Sequence, residues 1–119
     1  MAALSKGAAG EVLAARFLRE KGYQILTSNY RCRLGEVDII ARDGAYIAFV
    51  EVKTRRSDGM YAPREAVTAA KQQRLIRTAA LYLMNESVEG QPRFDVVEIL
   101  APQGMDTRAP VVRHIENAF

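Results

Sequence analysis

The sequence predicts an α/β domain, a central mixed β-sheet flanked by helices. Three observations carry this. Two stretches with apolar residues at helical spacing are separated by segments rich in Val, Ile, Phe and Tyr. Asp43-Gly44 divides two of those segments as a hairpin turn would. The order helix, strand, hairpin, helix, strand, strand suits helices packed on a sheet, not segregated all-α or all-β layers.

The elements follow in chain order. Residues from Lys6 to Lys21 read as a helix, with Ser5 as a candidate N-cap, Ala8, Val12, Ala15 and Leu18 on the apolar face, and Gly22 as the stop. Tyr23 to Leu26 reads as a short strand, and Thr27-Ser28-Asn29 as a turn. Val37–Ala41 and Tyr46–Lys53 read as hairpin strands. Ser57-Asp58-Gly59 opens a loop, and a second helix is expected from about Pro63 to Met84, with Pro63 or Arg64 in its first turn. Phe94–Leu100 and Val111–Ile115 complete the sheet.

The length of 119 residues fits one domain, expected to span 1–119, and is too short for a TIM barrel. Hydrophobic residues at 49% are enough for a core without disulfide or zinc staples. The single Cys32 excludes an internal disulfide and a multi-cysteine zinc site, and fits a reducing compartment. No apolar run approaches the ~18–20 residues of a membrane span. The opening Met-Ala-Ala-Leu-Ser-Lys has no apolar secretion core, so a cytoplasmic protein away from membranes is expected.

The net charge of +3 hides a pattern. A basic block ending at Arg31 and Arg33 is followed by Glu36, Asp38, Asp43 and Glu51 against only Arg42. A second basic block, with Lys53, Arg55, Arg56, Arg64, Lys71, Arg74 and Arg77, comes next, and the remainder is acidic. An acidic segment between basic blocks suits a cation pocket framed by a phosphate-attracting surface, although chance clustering of surface charge gives the same pattern.

The hairpin sharpens this. With Asp43-Gly44 as the turn, Asp38 pairs with Phe49 and shares a face with Ile40, Ile47, Glu51 and Lys53. Asp38 and Glu51 are then diagonal neighbours, roughly 7–8 Å apart at Cα. Their carboxylates, with the Val52 carbonyl, offer the oxygen ligands that Mg²⁺ or Mn²⁺ takes alongside water and phosphate. Lys53 is placed to orient a water or stabilise developing charge. Glu11 falls on the mostly apolar stripe Ala8, Glu11, Ala15, Leu18, so it faces the sheet and can reach the same ion directly or through water. Lys71 and Gln72 early in the second helix, and Arg31, Arg33, Arg55 and Arg56, are candidate nucleic-acid contacts; solvated surface explains them equally well. His114, the only histidine, reads as structural, and Cys32 as a bystander.

Asp38 followed by Glu51-Val52-Lys53 after a hairpin resembles the PD-(D/E)xK nuclease signature of the restriction-endonuclease-like fold, with Val37 where the nominal pattern has Pro. Gly35 to Ile40, Phe49 to Arg55, Gly10-Glu11, Ala14-Ala15, Gly22-Tyr23, Arg93 to Val97 and Asn117-Ala118-Phe119 resemble the YraN family, itself similar to archaeal Holliday-junction resolvases. The resemblance implies a Mg²⁺- or Mn²⁺-dependent endonuclease acting on DNA, branched or otherwise structured. It implies catalytic roles for Glu11, Asp38, Glu51 and Lys53. A homodimer would suit paired incisions, with Met60 and Tyr61 as a weak candidate contact. The alternatives are a nucleic-acid-binding module that keeps the fold without cleaving, and a scaffold in which the same residues form an ion network.

Overall fold

A computed structural model describes residues 6–55, 67–102 and 108–119. The expectations for Arg56, Met60, Tyr61, Pro63 and Arg64 lie outside the described residues. Helix α1 (Lys6–Glu20) is followed by strands β1 (Gln24–Cys32), β2 (Gly35–Asp43) and β3 (Tyr46–Arg55), helix α2 (Ala69–Asn85), and strands β4 (Gln91–Leu100) and β5 (Val111–Ile115). The sheet runs β1-β2-β3-β4-β5. Only β3 and β4 are parallel, joined through α2; the other neighbours are antiparallel.

The helices cover opposite faces. Ala14, Ala15 and Leu18 of α1 pack on Ile39, Ala41, Ala48, Val50, Val97 and Ile99. Leu75, Ala79 and Tyr82 of α2 pack on Val37, Ile40, Ile47, Phe49 and Val96. The central strands are therefore apolar on both sides, which is why they read as continuous hydrophobic runs. The α/β architecture with a mixed sheet flanked by helices, compatible with a restriction-endonuclease-like fold, is as the sequence predicts. Among the described residues no helix is long and apolar enough to cross a membrane.

Three local expectations change. First, Thr27-Ser28-Asn29 is not a turn: β1 runs through it at the sheet edge. The ladder absorbs the polar run with a register shift between Ile25 and Thr27 and a left-handed Asn29 at φ 53°. Second, α2 does not include Val67 or Thr68. Thr68 is its N-cap, extended at φ −64° and ψ 162°, and its hydroxyl accepts from the Lys71 amide. Third, the β2–β3 turn is Gly44-Ala45, because Asp43 pairs with Tyr46. Only Gly44 of the two has positive φ, 59°, which is the pattern of a type II′ turn, not I′. Asp43 is drawn into the ladder by Arg93, whose Nη1 donates to Asp43 Oδ2 at 2.8 Å.

That arginine belongs to a buried polar network on the α1 side. Arg93 Nε and Nη2 form a fork on Asp95 at 2.9 and 2.8 Å, and Nη2 also donates to the Tyr23 hydroxyl at 2.7 Å. The Asn117 amide donates to Asp95 Oδ1 at 3.0 Å. His114 Nε2 lies 2.8 Å from Asp95 Oδ2, and its Nδ1 lies 2.7 Å from Lys21 Nζ. Lysine only donates, so Nδ1 accepts and Nε2 carries the proton toward Asp95. The network ties the end of α1 to β2, β4 and the C-terminal segment, and gives His114 the structural role read from sequence.

Candidate active site

Chain divergence builds the site. The β2–β3 ladder ends at Ile39↔Val50. Beyond it Val37 packs on the α2 side while Ile39 packs on the α1 side, so simple alternation breaks at Asp38. The turn at Gly44-Ala45 moves the register by two residues, an even number, so the face relations of Ile40, Ile47 and Phe49 survive. Continued one step, that register sets Asp38 opposite Glu51 instead of diagonal to it. Asp38 crosses the gap with its side chain: the Val52 amide donates to Oδ2 at 2.8 Å.

Glu51 is buried on β3 beside Val96 of β4. Lys53 Nζ is 3.5 Å from Glu51 Oε1, and Lys71 Nζ makes an ion pair with the same oxygen. Thr68 capping sets the phase of α2 and so brings Lys71 to Glu51. On the other side, Gly10 lets α1 approach β3 closely, since a Cβ there would overlap the Thr54 hydroxyl. The next residue, Glu11, thereby lines one cleft of about 390 Å³ with Gly7, Asp38, Glu51, Val52 and Thr54. The cleft lies at the carboxyl end of the parallel β3, where open α/β sheets hold their ligands.

The charges are strained. Burial, then the Glu51 charge, push the Asp38 carboxyl up to about 7; the Glu11 charge adds to this, and the Val52 amide and Lys71 oppose it. Burial and the adjacent Lys71 cation hold Lys53 below the ordinary lysine range, with Glu51 opposing. Burial acts to lower Lys71 as well, but its hydrogen bond to Glu51 wins and raises it. Glu51 therefore keeps Lys71 charged, while Lys53 holds its proton less firmly.

Glu11, Asp38, Glu51 and Lys53 thus come together, although among the described residues no three His, Cys, Asp or Glu side chains converge closely enough to hold a metal ion by themselves. Lys71 joins them. Gln72 Nε2 instead donates to the Val67 carbonyl at 3.0 Å, at the start of α2. Arg55 Nε is 3.0 Å from the buried Glu98, which also draws Arg113 to 3.8 Å. Arg31 and Arg33 are exposed near the β1–β2 turn. Sequence reasoning missed Thr54, which points to the α1 side of β3 between Lys53 and Arg55; its adjacency to the E-x-K triplet was the available signal.

The model of the uncharacterised protein family UPF0102 matches residues 10–99. The chain belongs to this family. It is the YraN family that the hairpin segments resemble, and the matched span includes Glu11, Asp38, Glu51, Lys53 and Lys71. Among relatives, the UPF0102 protein of Nocardia farcinica is 51% identical over 114 residues, 95% of this chain and 87% of the relative. UPF0102 protein STH1475 of Symbiobacterium thermophilum is 54% identical over 114 residues, 95% and 94% of the two chains. The UPF0102 protein of Rhodococcus opacus is 48% identical over 118 residues, 98% and 97% of the two. These UPF0102 relatives are thus matched over 95–98% of this chain and 87–97% of their own lengths.

Proposed function

We propose that this chain is a Mg²⁺- or Mn²⁺-dependent endonuclease that hydrolyses phosphodiester bonds in DNA, with branched or otherwise structured DNA as its substrate. The observation that carries the reading is the meeting of Asp38, Glu51 and Glu11 from three elements in one cleft beside Lys53 and Lys71. The donor set suits a hard cation: Mg²⁺ takes one or two carboxylates, with water and phosphate completing the shell, so a two-carboxylate site suffices. The raised Asp38 supports this too, since a cation relieves the repulsion between half-buried Asp38 and buried Glu51.

Asp38, Glu51 and the Val52 carbonyl would hold the ion, with Glu11 reaching it directly or through water. When bound, it supplies the positive charge that polarises a phosphoryl oxygen and acidifies water. Lys53 orients the attacking water from the Glu51 side, and burial beside the Lys71 cation weakens its hold on its proton. Lys71 offsets the Glu51 charge and leaves the cleft receptive to a phosphate. A second reading, a nucleic-acid-binding module without cleavage, draws on one observation: Glu51 is already balanced by two lysines.

The test is incubation of labelled linear, flapped and four-way DNA with Mn²⁺. Wild type should cut, and Lys53→Ala should cut about 10²–10³-fold more slowly, as when one charge-stabilising donor is lost. Intact substrates with both proteins would favour the binding-module reading, and equal cutting by both would remove Lys53 from the chemistry.

A further inference from the structure

A second cleft, of about 600 Å³, is lined by Arg31, Cys32, Glu36, Thr68, Lys71 and Arg74, with Gly35 and Leu75. Lys71 links the two: it lines this cleft and ion-pairs with Glu51 of the other. We infer that the cleft between the β1–β2 turn and the N-terminal half of α2 carries the phosphates that flank the scissile one, so that a nucleic-acid strand runs from Asp38 and Glu51 past Lys71 to Arg74 and Arg31. This rests on the proposed function only in taking nucleic acid as the occupant of the Asp38–Glu51 cleft.

Three observations support the path. The first is charge: three cations line the cleft against one carboxylate, Glu36. Glu36 Oε2 is 3.3 Å from Arg31 Nε, but the two side chains are 66% and 74% exposed. Such a surface pair is weak and yields readily to a phosphate. The second is the helix itself. The first turn of α2 has no acidic residue, so nothing on the helix competes for its positive end where Thr68 opens the cleft. The third is construction. Gly35, at φ +156°, has Arg74 Cβ 3.8 Å and Thr78 Oγ1 3.0 Å from where a Cβ would stand. Without a side chain there, the start of β2 comes against α2, and Arg31 and Arg74 flank the same opening. Polar, basic walls suit a phosphodiester backbone and do not suit an apolar ligand.

Cys32, the only cysteine of the chain, is a partly exposed reporter in the cleft wall. The experiment measures its alkylation by N-ethylmaleimide with and without saturating four-way DNA, in Ca²⁺ to hold cleavage in check. It also measures the salt dependence of DNA affinity for wild type, Arg31→Ala/Arg74→Ala and Arg74→Glu. DNA should slow Cys32 alkylation at least about tenfold, and losing two phosphate contacts should weaken binding and reduce the slope of log affinity against log salt by about 2. Arg74→Glu should weaken binding further. An unprotected Cys32 with an unchanged salt slope, in protein that still binds DNA, would overturn the strand path even if Mn²⁺-dependent cleavage is found. Protection without cleavage would uphold the path and count against the nuclease reading alone. Equal protection by inorganic phosphate, with no change in DNA affinity for either variant, would make this a small-anion site and overturn the inference, as would failure to bind any DNA.

Discussion

Asp38→Asn is expected to reduce metal-dependent cleavage by about 10³–10⁴-fold, since a bound metal's charge stabilisation is worth several kcal/mol and each ~1.4 kcal/mol is tenfold in rate. The same change should raise the melting temperature of the metal-free protein at pH 8. The reason is the strain at this position. Burial, then Glu51 and Glu11, raise the folded-state carboxyl to about 7, above its ordinary unfolded value near 3.9. Over that interval the folded state binds more protons than the unfolded state, so the Asp38 contribution to stability falls as pH rises. It is fully present below about pH 4 and lost above about pH 7. Asn lacks this titration, so variant and wild type should converge in stability toward pH 4 and separate by pH 8. Melting curves in a chelator across that range check the stability half. A variant less stable than wild type at pH 8 would mean that Asp38 is a structural ion-pair residue.

Asp95→Ala should act in the opposite sense and more severely. Removing the fully buried carboxylate of this network strips Arg93 of its two-pronged partner, leaving it the Asp43 carboxylate, and strips His114 and the Asn117 amide of their acceptor, at a cost of about 3–5 kcal/mol. For a domain of this size that is a fall of roughly 10–20 °C in melting temperature. Asp95 is fully buried; burial alone would raise its carboxyl, but His114, Arg93 and the Asn117 amide together hold it below the ordinary carboxylate value. A depressed folded-state value adds stability above the unfolded pKa near 4 that disappears as pH falls through the folded value. The loss caused by Asp95→Ala should therefore be largest near neutral pH and shrink under acid. Denaturant titrations at pH 7 and pH 3 check this. A loss of less than about 1 kcal/mol at pH 7 would place the network among weak surface pairs.

These two acids mark what could be read from sequence. The meeting of Asp38 with Glu51 was legible because an acid in an apolar strand, followed by Glu51-Val52-Lys53 after a turn, stands out against its neighbours. The face of Asp38 was argued from the wrong turn: the true register differs by two residues, which keeps Ile40, Ile47 and Phe49 on one face, while Asp38 reaches Glu51 because alternation breaks there. What no alternation rule foresees is the side-chain bridge from Asp38 to the Val52 amide, since it arises only where β2 and β3 part. Lys71 reads from sequence as a candidate nucleic-acid contact, with a solvated helix face as an equal explanation, and not as a partner of Glu51. Its selection depends on Thr68 as N-cap, a competition between Thr68 and upstream helix starts that sequence leaves open. Asp95 was hidden because its partners, from Lys21 to Asn117, are brought together only by the fold. The apolar cores on both faces were the easiest to foresee, because burial on two sides leaves long hydrophobic runs in β2, β3 and β4.

The proposed chemistry requires Asp38 and Glu51 to hold a divalent cation. Crystals soaked in Mn²⁺ test it directly. An anomalous peak is expected about 2.0–2.2 Å from oxygens of both carboxylates, as hard octahedral ions require. Asp38→Asn should lose the peak. A clean map with no anomalous density between residues 38 and 51, Lys53 and Lys71 still closed on Glu51, would contradict it.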